Sequence, residues 1–227
     1  MDPTSRMVAL LAAFRRERNG AVADEMRFFG RASGLNYGVS LPTVRAIARA
    51  EMPDHAFARF LLSQDVRELR LAAFHIARPD CLVADEFALW AAAIINSEFA
   101  EEAAFALLSR AAAFPALFEA WTSASAAPSA PLPAYAALMA AARWPESPVE
   151  WGDRALGLLR LQSVAAEEGR QPAYVARLTA QGAVALLVAV ASQNEQNRLA
   201  VLRAAGSVGD APAERFLREE LTWRLES

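Results

Sequence analysis

The chain contains no lysine; all 23 of its basic residues are arginine. It has one cysteine, Cys81, and two histidines, His55 and His75. A single thiol excludes an internal disulfide and a cysteine-built metal cluster, and it fits a reducing, cytoplasmic compartment. The histidines have no acidic or cysteine partner at metal-ligand spacing, so no metal and no other cofactor is expected. There is no Walker loop, no GxGxxG and no GxSxG, which removes the motif-bearing nucleotide-binding and serine-hydrolase classes. The net charge is −3, so no global basic field advertises a nucleic-acid partner, and any such binding must come from a local patch. No apolar run approaches the roughly 20 residues of a membrane span. The run 183–191 is shorter and reads as the core of a buried helix. At the N-terminus Met7, Leu10, Leu11 and Phe14 are helix-spaced, which marks an amphipathic helix and not an export signal.

What is present is alanine. Hydrophobic residues make up 55 % of the 227, largely through this best of helix formers. An all-α fold follows. Helices are expected at about 4–18, 21–29, 42–51, 55–62, 65–77, 83–95, 97–110, 114–121, 134–144, 148–167, 172–192, 195–205 and 212–225. Asp65 with Glu68 has the spacing of a capping box, and Ser147-Pro-Val-Glu150 places serine at the cap, proline at the first helical position and glutamate at the third. Leu-Ala-Ala-Phe at 71–74 returns as Glu-Ala-Ala-Phe at 102–105, an offset close to one helical hairpin. The stretch 122–133, small and proline-rich, reads as a long inter-helix loop in a single domain of 1–227, with a domain boundary there as the alternative. Helix after helix with short connections describes an α-solenoid.

Two neighbouring stretches organise the chain. Tyr37, Gly38, Val39, Pro42, Arg45, Ile47 and Ala48 form the pattern Y-G-V-x-x-P-x-x-R-x-I-A. Asp65 to Ala73 then reads D-V-R-E-L-R-L-A-A. Their order resembles the DNA alkylation repair (AlkD-like) family of HEAT-like-repeat proteins. The resemblance implies HEAT-like antiparallel helical hairpins and duplex DNA as partner. In the glycosylases of that family it implies a Trp-Trp-Asp stretch on a central helix, whose acid steadies the sugar cation as the base departs, and an arginine on a later helix.

The residues here match the first expectation better than the second. Arg67, Arg70 and Arg78 lie within about a quarter-turn on one helix face. Arg45 and Arg49 stand one turn apart on the helix before, and Arg27 and Arg31 precede them. Such a stripe on a concave face would track phosphates, and replacing Arg67 or Arg70 would lower the salt slope of binding by about one each. The alternative for the stripe is a solvated face paired to Asp65, Glu68 or Glu51. At 96–102 no Trp-Asp occurs: Phe99 takes an aromatic position and Ala100 the place of the acid. Glu101 is the substitute acid to test, with Arg160 as its helper. The functional reading is therefore a DNA-binding member of the family with weak or absent glycosylase activity. The alternative is a non-enzymatic helical scaffold holding a protein partner in its concave face. Trp90, Trp121, Trp144, Trp151 and Trp223 are read as core or loop anchors in preference to base-stacking platforms.

Overall fold

The computed structural model describes residues 2–28, 34–125 and 130–226. The protein is 74 % helical, with no strand among the described residues. The helices are α1 (Pro3–Arg16), α2 (Gly20–Phe28), α3 (Leu41–Arg49), α4 (His55–Leu62), α5 (Arg67–Ile76), α6 (Phe87–Ala93) and α7 (Ser97–Ala106). They continue as α8 (Phe114–Trp121), α9 (Pro131–Ala141), α10 (Val149–Glu167), α11 (Ala173–Ala191), α12 (Glu195–Gly206) and α13 (Pro212–Glu226). Short 3-10 turns lie at Pro79–Cys81, Ala84–Glu86 and Leu108–Arg110. By packing, the chain divides into two units, Met1–Leu107 and Leu108–Ser227. The expected loop therefore falls inside the second unit; within it, 126–129 lie outside the described residues.

In the first unit the centre is α5, which touches α1, α3, α4 and α7. Leu69, Leu71, Ala72, Ala73, Phe74 and Ile76 are completely buried. Phe74 meets Trp90 and Phe99, with ring centroids 6.1 and 6.3 Å away. Pro42 sits in the first turn of α3, where a missing N–H costs nothing, and the Ser40 hydroxyl caps Thr43. Gly38 adopts φ +70°, and a Cβ there would lie 2.1 Å from the Asn19 carbonyl oxygen, so only glycine fits.

In the second unit the centre is α11, which touches α9, α10, α12 and α13. Ala134, Ala137 and Ala140 on α9 and Ala180 and Ala183 on α11 are completely buried. Gly182 lets the two helices close: a Cβ there would stand 2.9 Å from the Leu138 Cβ. Phe118 stacks on Trp151 with centroids 4.3 Å apart. The continuous helix makes α11 longer than the apolar run 183–191 implied. It is long and apolar enough to cross a membrane, but more than half of its apolar window is buried inside this unit. It is the unit's core helix.

Two sequence-predicted caps fail for stated reasons. α5 begins after Val66 with no side-chain cap, because Glu68 turns inward and Asp65 bonds to the Gly34 N–H at 3.2 Å. α10 begins after Pro148, also without a side-chain cap. Ser147 is buried and donates instead to the Ala141 carbonyl at 2.5 Å, closing the end of α9. Two predicted helices are shorter than expected: the first turn of 83–95 is a 3-10 turn, and α7 stops at Ala106 before another.

Candidate nucleic-acid interface

α5 carries two charges into the core of the first unit. Arg67 is 2 % exposed and Glu68 not at all. Glu68 accepts from the Tyr37 N–H at 3.2 Å and from the Val39 N–H at 3.3 Å. Arg67 donates to the Val39 carbonyl at 3.0 Å, to Glu68 at 3.1 Å and, through Nε, to Glu98 at 2.8 Å. The Leu35 N–H bonds to the Asp65 carbonyl, and the Arg67 N–H returns to the Leu35 carbonyl. Tyr37 and Glu68, Arg67 and Glu98, and His55 and Glu86 are each 31 residues apart. The offset between 71–74 and 102–105 is thus also the step of a polar ladder joining successive hairpins. The burial of these carboxylates is matched by hydrogen bonds and opposite charge.

Beside the ladder lies a second cluster. Glu102, 2 % exposed on α7, accepts from Arg45 Nε at 3.0 Å and from Arg45 Nη2, and lies 2.8 Å from His75 Nε2. Burial pushes its carboxyl up, but the hydrogen bonds and charges of His75 and Arg45 outweigh burial and hold it down to about 2. Glu86 forms a third, with His55 Nε2 at 2.6 Å, Trp90 Nε1 at 3.3 Å and Arg59 at 2.9 Å. Burial raises its carboxyl, and the His55 and Trp90 bonds bring it below the ordinary value.

Glu102 makes stability depend on acid. Its folded pKa lies below the unfolded value of 4.5, so its contribution is complete above that value and fades as pH falls from there toward 2. The shift corresponds to about 2–3 kcal/mol, taken at the low side because Arg45 is partly solvated. Urea titrations at pH 6 and at pH 3, still above the folded value of about 2, should show a little over half of that loss in the wild type and a smaller one in Glu102→Gln. Equal losses in both proteins would remove Glu102 as the source.

The predicted arginine stripe is not a single open face. Arg67 is inside the protein. Arg70 donates to the Gln64 carbonyl at 2.7 Å and pairs with Asp65 at 3.3 Å. Arg78 is half exposed but paired with Asp80 at 2.5 Å. Arg45 is about a third exposed and held by Glu102. Arg49 is exposed and makes no ion pair among the described residues. Arg31 and the Arg27 side chain lie outside the described residues. The sequence did not single out Arg16, the last residue of α1, and Arg18 just past its cap, both exposed and unpaired among the described residues. Their run, Arg15-Arg16-Glu17-Arg18, was the available signal.

On α7, Phe99 and Ala100 are completely buried. Glu98 is held by Arg67, Glu102 by Arg45 and His75, and the half-buried Glu101 is also engaged. Arg160 is exposed on α10 in the second unit. Trp90, Trp121 and Trp151 are buried, Trp144 packs on Phe114 at 5.2 Å, and Trp223 is 69 % exposed. Among the described residues no three His, Cys, Asp or Glu side chains gather as a metal ion would need.

A sequence model of the family described as DNA alkylation repair enzyme matches residues 10–127, just over half of the chain. No curated protein matches. Among solved structures, similarity is found to one described as "A new family of proteins related to the HEAT-like repeat DNA glycosylases with affinity for branched DNA structures". The two share 15 % identity at a TM-score of 0.66, over 99 % of this chain and 96 % of that one. The likeness establishes the fold, which is the all-α HEAT-like repeat architecture expected from the sequence.

Proposed function

Because the chain belongs to the DNA alkylation repair enzyme family, we propose that it binds duplex or branched DNA through the sugar–phosphate backbone and has little or no glycosylase activity. The observation that carries this reading is the state of α7. Its carboxylates are engaged within the protein and Ala100 fills the position expected of the acid. A departing cationic base leaves positive charge on the sugar, and a carboxylate spent on an internal arginine gives that charge little support. The affinity for branched DNA described for the similar structure supports recognition without excision.

The phosphate contacts are assigned to the solvent-facing arginines Arg16, Arg18 and Arg49, with Arg45 one turn before Arg49 on α3. Backbone binding releases counterions, so affinity should fall steeply with salt and depend little on sequence. Arg16→Ala and Arg49→Ala should each lower the slope of log affinity against log salt by about one. Fluorescence anisotropy with a four-way junction and a plain duplex at several salt concentrations measures this. Undetectable binding to both DNAs at low salt would overturn the reading and favour the protein-partner scaffold.

A further inference from the structure

In the second unit, a cavity of about 140 Å³ lies where α10 ends and α11 and α13 begin. Its walls are Ala166 on α10, Ala173 and Ala176 on α11, and Pro212 and Ala213 on α13. Among these apolar surfaces stands Ser163, only 3 % exposed, whose hydroxyl has no hydrogen-bond partner. A serine within a helix ordinarily bonds back to the carbonyl four residues earlier, as Thr179 does here to Val175 at 3.1 Å. An unpaired buried hydroxyl is costly, and in native proteins it calls for an explanation.

The first turn of α11 borders the same cavity, and no side chain caps that helix. Its leading N–H groups add donors beside the Ser163 hydroxyl. The start of α13 is occupied differently: the Ala211 N–H bonds to the Glu214 carboxylate at 3.2 Å. Glu167 also borders the cavity, is exposed and is unpaired among the described residues.

We infer that this cavity is a binding site for a small neutral amphiphile, a short aliphatic group carrying one hydrogen-bonding oxygen. The alanine and proline walls take the aliphatic part. Ser163 and the uncapped turn of α11 take the oxygen. Glu167 and Glu214 disfavour an anion. A cavity of this size holds about six heavy atoms, judging by the benzene-sized ligands that similar cavities admit.

The test is a titration of the full ¹⁵N-labelled chain with butyramide, 1-butanol and butyrate, followed by amide shifts at Ala173, Ala176 and Ala213. Butyramide and 1-butanol should give saturable shifts, and butyrate should bind about tenfold more weakly. Glu167→Gln should recover much of the butyrate binding. Ser163→Ala should raise Tm, since it removes an unpaired hydroxyl, and weaken butyramide by about tenfold. Ala173→Leu adds bulk at an exposed wall position and should abolish the shifts without disturbing the fold. Absence of saturable shifts with all three probes would overturn the site. Shifts that persist unchanged in both Ser163→Ala and Ala173→Leu would also overturn it. Butyrate binding as tightly as butyramide would overturn the neutral-ligand assignment.

Discussion

Replacing Arg67 by alanine is expected to lower the unfolding free energy by about 3–5 kcal/mol, because two carboxylates lose their buried counter-charge at once. Glu68 would keep the Tyr37 and Val39 N–H groups but lose Arg67, and Glu98 would lose a two-point partner. The Val39 carbonyl would lose its side-chain donor as well. Breaking one side of a buried pair costs more than removing the whole pair. Arg67→Met combined with Glu68→Gln and Glu98→Gln should therefore be less damaging than Arg67→Ala alone. Urea denaturation would show a lower midpoint at unchanged m-value. A loss below about 1 kcal/mol would mean that the ladder behaves like a surface ion pair. The expected loss of stability also separates Arg67 from the arginines proposed to contact DNA, since its replacement acts on folding and leaves the salt slope of the folded protein alone.

The second large effect concerns chemistry. Release of a methylated purine from alkylated DNA should be slower by a hundredfold or more than with a properly placed acid, because such a stabiliser contributes several kcal/mol to the barrier. The assay compares wild type, Glu101→Gln and Arg160→Ala on the same alkylated duplex. Robust release by wild type would refute the proposal. Release abolished by Glu101→Gln would identify Glu101 as the substitute acid, and a parallel loss in Arg160→Ala would assign its helper. No release by any of them, together with DNA binding by wild type, leaves a recognition protein on a repair-family scaffold.

The helices were largely legible because their stop signals are local. α4 spans His55–Leu62 and α8 spans Phe114–Trp121, the ranges expected from the sequence. The direction of charged side chains was not legible. Arg67 and Arg70 share a helix face by spacing, yet one is buried and the other reaches the Gln64 carbonyl. What decides this is the residue one hairpin away: Glu98 and Val39 for Arg67, Tyr37 for Glu68. Spacing within a helix says which side chains are neighbours, and it does not say which neighbour the next repeat will bring. Glu68 and Ser147 misled for the same reason. Each fits a cap locally, but each finds a stronger use elsewhere, Glu68 on two backbone N–H groups and Ser147 on the end of the preceding helix. The candidate site was least legible at α7, where the sequence reading set Ala100 in the place expected of the acid but did not reveal that Glu98 and Glu102 are held by arginine.

The position of α11, with neighbours on several sides, has a consequence for hydrogen exchange. Past its uncapped first turn, its amides are shielded by α9, α10, α12 and α13 together, so deuterium reaches those of the middle turns only when the second unit as a whole comes apart. Their protection therefore measures the free energy of that cooperative opening. α12 buries only Val201 and Ala205, and its amides exchange through local fraying at lower cost. The two helices, four residues apart in sequence, thus report on opposite ends of the same unit's stability scale.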